Sequence, residues 1–186
     1  NYHSLFIKSD GSLWGMGQNS YGQLGDGTSS QRLSPVPIVG SGVTAMAAGY
    51  HHSLFIKSDG SLWTMGYNNS GQLGDGTTSS RQSPGKIINS GVTTVAAGDN
   101  HSLFIKDDGS LWTMGSNNYG QLGDDSTTNR SSPVKVVNGG VVAMDGDYYH
   151  SLYVTQDGSF WGMGYNSQGQ LGDGTSSQRL SPVPIV

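Results

Sequence analysis

The sequence predicts an all-β protein, a β-propeller built from about four four-stranded blades. Three observations support this fold class. His3, His52, His101 and His150 are spaced 49 residues apart, and most of the residues around them repeat with the same period. Each repeat contains short segments in which apolar and polar residues alternate, and no segment shows a helical period. Turn signals separate these segments, so that a unit of this length accommodates four short strands.

The third repeat shows how the strands of one blade are assigned. Residues 92–97 are a run of small apolar residues that suits a tightly packed first strand, and residues 101–106 alternate with a period of two. Asp108-Gly109 predicts a two-residue hairpin with a primed turn, because glycine accepts a positive φ. Residues 111–114 form the returning strand, and a long polar turn follows. Residues 133–137 are the predicted fourth strand, with its proline at the start.

Four motifs recur along the chain. They are Gly-Val-Thr-Ala-Met-Ala-Ala-Gly at 42–49, His-Ser-Leu at 52–54, Asp-Gly-Ser-Leu-Trp at 59–63 and Asn-Xaa-Xaa-Gly-Gln-Leu-Gly-Asp-Gly-Thr at 68–77. These motifs resemble the regulator-of-chromosome-condensation repeat, over the whole chain. The resemblance implies a propeller, typically of seven blades, in a family that includes a secreted bacterial inhibitor of β-lactamases. The family usually has Trp-Xaa-Trp-Gly where this chain has Trp-Xaa-Met-Gly. We interpret the methionine as filling the core space that the second tryptophan occupies in the family.

The repeats indicate one β-propeller domain over residues 1–186. Its units approximate to residues 1–39, which lack a first strand, 40–89, 90–138 and 139–186. Seven blades of this period would need about 340 residues. We therefore expect the chain to be part of a larger ring, with closure by oligomerisation as the alternative.

Composition excludes several classes of function. The chain has 186 residues, a net charge of −4, 12% charged residues and no cysteine. The acidic balance argues against a nucleic-acid or anionic-membrane surface, because binding to phosphates requires clustered Lys and Arg. The lack of cysteine excludes disulfides and thiolate metal sites, and no apolar run reaches the length of a membrane span. The Ser-, Thr- and Asn-rich repeats favour a secreted or cell-surface protein, of bacterial origin, over a cytoplasmic one.

No catalytic, cofactor-binding or metal-binding constellation is predicted. The four histidines with the 49-residue spacing, here called the register histidines, fall on different blades. We therefore interpret them as structural residues that hydrogen-bond across the blade. The serine after each histidine points to the opposite face of its strand, so the two cannot act as nucleophile and base. Asp-Gly-Thr at 26–28, 75–77 and 173–175 offers one acid per unit, too few for calcium, and is interpreted as a capped turn.

The candidate functional residues are those that differ between the repeats. They precede each register histidine or each Gly-Gln pair, in the turns between strands 1 and 2 and between strands 3 and 4. Both sets of turns emerge on one face of an antiparallel meander, and their varied Tyr, Asn, Asp and His residues suit protein recognition. The predicted partner-binding residues are Tyr2, Tyr21, Tyr50, His51, Asn69, Asp99, Asn100, Tyr119, Tyr148, Tyr149 and Gln168.

These residues favour a non-enzymatic scaffold that binds a protein partner through the two sets of loops. The resemblance implies two alternatives. An enzyme inhibitor would need a deep cleft-filling loop, whereas these loops are short, and guanine-nucleotide exchange would need a wedge between blades for which the regular spacing leaves no room. Carbohydrate binding by repeated Tyr and Asn pockets predicts one weak site per blade. The further alternative is that the variable loops are simply unconstrained.

Overall fold

The computed structural model describes residues 2–185 and confirms the all-β propeller fold. This part of the chain contains fifteen strands and no helix, and hence no helix that could cross a membrane. The strands form four antiparallel sheets, which are the blades, in the orders β1-β2-β3, β4-β5-β6-β7, β8-β9-β10-β11 and β12-β13-β14-β15. The strand bounds are β1 His3–Ile7, β2 Leu13–Gly17, β3 Arg32–Val39, β4 Val43–Ala48, β5 His52–Lys57, β6 Leu62–Gly66, β7 Arg81–Ile88, β8 Val92–Ala97, β9 His101–Lys106, β10 Leu111–Gly115, β11 Arg130–Val137, β12 Val141–Asp147, β13 His150–Thr155, β14 Phe160–Gly164 and β15 Arg179–Pro184.

Consecutive blades pack face to face through their inner strands. The strand β1 contacts β4, β4 contacts β8, and β8 contacts β12. Between the second and third blades, Leu54, Ile56 and Leu62 of one sheet share a core with Phe104 and Met114 of the next. Because each core lies between two sheets, a blade buries its apolar faces only when it has neighbours.

The fourth blade presents the same apolar face without a following blade. Leu152, Val154 and Phe160 are only partly buried, whereas Leu103 and Ile105, which occupy two of these positions in the third blade, are almost completely buried. The four blades therefore form part of a propeller. Completion of the ring by a second copy stays a prediction, which the solution mass of the chain would test.

The hairpin between the second and third strands of a blade differs from the prediction. In the third blade, the Lys106 N–H donates to the Ser110 carbonyl at 3.1 Å, and the Gly109 N–H donates to the Lys106 carbonyl at 2.9 Å. The loop therefore has three residues and a bulge rather than two residues in a primed turn. Gly109 does have a positive φ of 73°. Asp107 belongs to the loop because its N–H is held by the Gly91 carbonyl, at 2.8 Å, on the link that enters the blade.

The fourth strand of the third blade, β11, begins at Arg130 rather than at Pro133. It is the edge strand of its sheet, and its pairing with β10 is irregular between Thr113 and Gly115. An edge strand with irregular pairing tolerates an internal proline, because the missing N–H has no ladder bond to make. The prediction was wrong at this strand because it took the proline as the first residue.

The Asp-Gly-Ser-Leu-Trp motif fastens this hairpin to the returning strand. In the third blade, the Ser110 N–H and hydroxyl both donate to Asp108 Oδ1, at 2.9 and 2.5 Å, and Trp112 Nε1 donates to Ser110 Oγ at 2.9 Å. The Trp112 ring is stacked on Phe104, with centroids 6.0 Å apart. The motif is therefore structural, and it lies on the face opposite the variable turns.

The methionine of the Trp-Xaa-Met-Gly motif fills space between blades. Met65, Met114 and Met163 are fully buried, and Met114 lies beside the backbone of Gly74 in the preceding blade. Met16, which has no preceding blade in this chain, is only partly buried. These contacts support the interpretation that methionine repacks the position.

Shortening Met114 should cost far more stability than shortening Met16. We expect Met114→Ala to lower the free energy of unfolding by about 3 kcal/mol, because it leaves a cavity between two blades. Met16→Ala should cost less than about 1 kcal/mol, because this side chain already contacts water. Urea unfolding followed by tryptophan fluorescence measures both changes, and equal losses would contradict the packing role of the buried methionines.

Candidate functional site

The register histidines link each blade to the next. His52 Nε2 lies 2.9 Å from Ser102 Oγ of the following blade, and the Ser102 hydroxyl donates to the Gln72 carbonyl at 2.8 Å. Because the serine proton is used in that bond, His52 Nε2 is the donor to Ser102, and its Nδ1 has no hydrogen-bond partner. The same link joins His3 to Ser53 at 2.8 Å and His101 to Ser151 at 2.9 Å.

This arrangement supports a structural role but corrects the predicted geometry. The histidine bonds to the next blade rather than across its own, and the serine that it meets is the one that follows the histidine of that next blade. No nucleophile results, because the Ser102 proton is held by a buried backbone carbonyl. Burial lowers the pKa of His52 to about 3, and the pKa values of His3 and His101 to about 4, so that all three are neutral near pH 7.

Each loop between strands 3 and 4 is held from inside by a buried asparagine. In the second blade, Asn68 Nδ2 donates to Asp75 Oδ1 at 3.2 Å and to the Thr77 carbonyl at 3.1 Å, and Asn68 Oδ1 accepts from the Leu73 N–H at 2.9 Å. Asp75 also accepts from Thr77 and Arg81. The Asp-Gly-Thr segment is thus a capped turn, and residues 2–185 contain no cluster of His, Cys, Asp or Glu fit to hold a metal.

The turns between strands 1 and 2 and the loops between strands 3 and 4 emerge on one side of the blades, here called the loop face. Tyr21, in a 3–4 loop of the first blade, contacts His51, in the 1–2 turn of the second, with ring centroids 4.9 Å apart. The backbone also joins neighbouring turns, since the Tyr50 N–H donates to the Asp99 carbonyl at 3.2 Å. Loops of one blade are therefore supported by turns of the next.

Five aromatic side chains meet at the boundary between the first and second blades and form the first aromatic cluster. The Tyr21 ring centroid lies 4.7 Å from that of Tyr67, and the His51 centroid lies 4.2 Å from that of Tyr50. Tyr2 extends the cluster, with its centroid 5.8 Å from that of Tyr50. Tyr2 is 65% exposed and Tyr21 is 39% exposed. An aromatic surface therefore faces solvent at this boundary.

Four tyrosines form the second aromatic cluster, at the boundary between the third and fourth blades. The Tyr149 centroid lies 4.1 Å from that of Tyr148 and 4.8 Å from that of Tyr119, and the Tyr119 and Tyr165 centroids are 4.9 Å apart. The hydrogen bond that Tyr149 makes to Tyr148, together with burial, raises the pKa of Tyr149 to about 12. This phenol is therefore neutral at physiological pH.

The second cluster repeats four of the five positions of the first cluster, two repeats further along the chain. At the boundary between them, the equivalent positions carry the polar residues Ser70, Asp99, Asn100 and Ser116. The aromatic surface thus recurs at alternate blade boundaries rather than at every blade. The corresponding positions, each pair 98 residues apart, are Tyr21 and Tyr119, Tyr50 and Tyr148, His51 and Tyr149, and Tyr67 and Tyr165.

Four of the predicted binding residues lie outside the clusters. Asp99 and Asn100 are at the polar boundary, where Gln72 Nε2 donates to Asn100 Oδ1 at 3.2 Å. Asn69 and Gln168 are exposed in 3–4 loops and join neither cluster. The structure therefore brings together seven of the eleven predicted residues, all of them aromatic.

Tyr67 and Tyr165 belong to the clusters and were not predicted. Each directly follows Trp-Xaa-Met-Gly, at a position where the first and third repeats have Gln18 and Ser116. That difference between repeats was the available signal. The prediction considered only the positions before Gly-Gln and before the histidine. Tyr67 and Tyr165 lie immediately after a strand and so were not included.

A family model for the RCC1-like domain matches residues 1–186. The chain belongs to the RCC1-like domain family. This membership agrees with the recurring Asp-Gly-Ser-Leu-Trp and His-Ser-Leu motifs, which join the hairpin to its strand and each blade to the next. No curated protein matches this RCC1-like chain by sequence.

Solved structures show the fold of the RCC1-like chain in longer proteins. Yeast RCC1, Prp20, bound to Kap60 matches with a TM-score of 0.88 and 23% identity, over 100% of this chain and 47% of that one. Prp20p from Saccharomyces cerevisiae, reported with its binding to Gsp1p and histones, matches at 0.86 and 24%, over 100% and 49%. Human WBSCR16 matches at 0.67 and 21%, over 100% and 65%. The RCC1-like chain thus spans about half the length of the Prp20 chains, and the likeness is one of fold.

Proposed function

We propose that this RCC1-like chain is a non-enzymatic scaffold that binds a protein partner on its loop face. The observation that carries the proposal is the pair of solvent-facing aromatic clusters. Tyrosine provides a large contact area at a small cost in conformational entropy, and aromatic residues are enriched at protein interfaces. The underlying loops are fastened by buried asparagines, so that binding needs little ordering of the backbone.

The relatives support a protein as the class of partner. Prp20 is bound to Kap60 in one structure, and its binding to Gsp1p and histones is described with another. Because the identity with this chain is below 25%, only the class of partner enters the proposal. A secreted or cell-surface location stays a prediction from composition.

The distribution of the aromatic residues favours a protein partner over a carbohydrate. A lectin made of repeated pockets would carry one weak site in each blade, whereas the clusters lie at alternate boundaries with a polar boundary between them. A single partner that spans the loop face would contact both clusters at once. A glycan array with hits at high protein concentration would favour the carbohydrate alternative instead.

Removing three rings should abolish partner capture. We expect the triple variant Tyr50→Ala, Tyr119→Ala, Tyr149→Ala to retain less than about a tenth of the partner held by the wild-type chain, because aromatic anchors dominate interface energy. Quantitative mass spectrometry after affinity capture from the source cells or their medium measures this. The control is Asp107→Ala with Gln156→Ala, two exposed residues of hairpins on the opposite face. Unchanged capture by the triple variant would refute the proposal.

A further inference from the structure

Asp99 lies on the loop face between the two aromatic clusters. Its carbonyl accepts the hydrogen bond from Tyr50 in the first cluster. The pKa of Tyr50 is raised chiefly by Tyr2 and also by Asp99 and by Tyr148 of the second cluster. Asp99 also adds to the raised pKa of Tyr149, of which the hydrogen bond to Tyr148 is the largest cause. Asp99 therefore adjoins the first cluster through its backbone, and its charge raises the pKa values of tyrosines in both clusters.

No cation among residues 2–185 pairs with Asp99. The four ion pairs in this part of the chain each join an arginine to the aspartate of its own 3–4 loop. Lys57 and Lys106 lie over tryptophan rings at the hairpins of the opposite face. Burial, followed by the charge of Asp147, raises the pKa of Asp99. This is the direction expected for a half-buried carboxylate that lies near another carboxylate.

The combination of this carboxylate with exposed tyrosines selects for positive charge. A Lys or Arg side chain is attracted to the face of an exposed aromatic ring, and a partly buried carboxylate adds a charge-assisted hydrogen bond. An anionic partner would be repelled by Asp99 and by the exposed Asp147. A neutral partner would bury Asp99 without a counter-charge, which is costly.

We infer that the loop face binds a basic segment of its protein partner, with a lysine or arginine on Asp99 and the adjoining side chains against the tyrosines of both clusters. This inference rests on the proposed function and specifies the chemistry of the partner. It also accounts for the polar boundary, which interrupts the aromatic surface where the cation would lie.

Three labelled peptides of equal length test the inference by fluorescence anisotropy: an Arg-Ser repeat, a Gln-Ser repeat and a Glu-Ser repeat. We expect only the Arg-Ser peptide to bind, with an affinity that falls as salt is raised. Asp99→Asn should weaken its binding about fivefold, and Tyr50→Ala with Tyr149→Ala by a similar factor. The matched control is Asp107→Asn, which makes the same charge change in the same blade on the opposite face, and should leave the affinity unchanged.

Several results would overturn the inference. They are equal weakening by Asp99→Asn and Asp107→Asn, which indicates attraction by net charge alone, tighter binding of the Gln-Ser or Glu-Ser peptide, or no binding of any peptide. In each case the proposed function still stands if the tyrosine triple variant loses the captured protein. If that variant captures the protein unchanged, the proposed function itself fails. Circular dichroism of each variant verifies that it is folded.

Discussion

Lowering the pH from about 7.5 to about 5 is expected to reduce the free energy of unfolding by roughly 6 kcal/mol, about 2 kcal/mol for each of three histidines. Burial lowers the folded-state pKa of His52 to about 3 and those of His3 and His101 to about 4, from an ordinary value of 6.5. The unfolded chain therefore takes up protons first as the pH falls. The stability is fully present well above pH 6.5 and is lost progressively towards about pH 4 for His3 and His101 and about pH 3 for His52.

The link between blades makes this pH dependence specific to the register histidines. Protonation of His52 would place an uncompensated charge between two sheets, because its Nε2 proton already bonds Ser102 and its Nδ1 has no hydrogen-bond partner. Urea unfolding across this pH range measures the effect. The double variant His52→Gln, His101→Gln, which keeps a side-chain N–H donor, should lose most of the slope. His51→Gln, on the loop face, should keep it; an unchanged slope in the double variant would contradict the account.

Replacing Gly71 by alanine is expected to cost about 3–5 kcal/mol of stability. Gly71 has a φ of +83°, which disfavours any side chain, and an added Cβ would lie 2.5 Å from Ser131 Cα and 2.8 Å from the Arg130 carbonyl oxygen. Both atoms belong to the backbone of β11 in the next blade, so neither can move aside without displacing that strand. The 3–4 loop and the following blade would have to separate.

Gly169 is the matched control for this substitution. It occupies the same loop position in the fourth blade with a φ of +73°, but the nearest atom to an added Cβ is the Thr175 carbonyl oxygen at 3.9 Å. Gly169→Ala should therefore show only the backbone cost, about 1 kcal/mol. The difference between the two variants in urea unfolding isolates the contact between blades. Equal costs would show that the loop does not depend on its neighbour.

Local patterns were sufficient to predict the blades because each blade is one supersecondary unit repeated along the chain. The alternation in residues 101–106 and the glycine at 109 place a strand and a turn with little reference to the rest of the molecule. The predictions of the hairpin loop and of the start of β11 were wrong where the backbone conformation depends on contacts or position within the sheet. Asp107 joins its hairpin loop because Gly91 accepts its N–H, and β11 extends back to Arg130 because an edge strand tolerates the proline.

The sequence by itself determined that this is a repeated all-β fold, and it predicted that the functional residues are among those that differ between repeats. Only the tertiary structure decided which of those residues meet. Tyr21 and His51 are in different repeats and touch because the 3–4 loop of one blade overlies the 1–2 turn of the next. Ser102 meets His52 because the strands β9 and β5 lie in neighbouring blades that pack against each other. Contacts between blades depend on how sheets stack, and periodicity along one chain segment carries no information about that stacking.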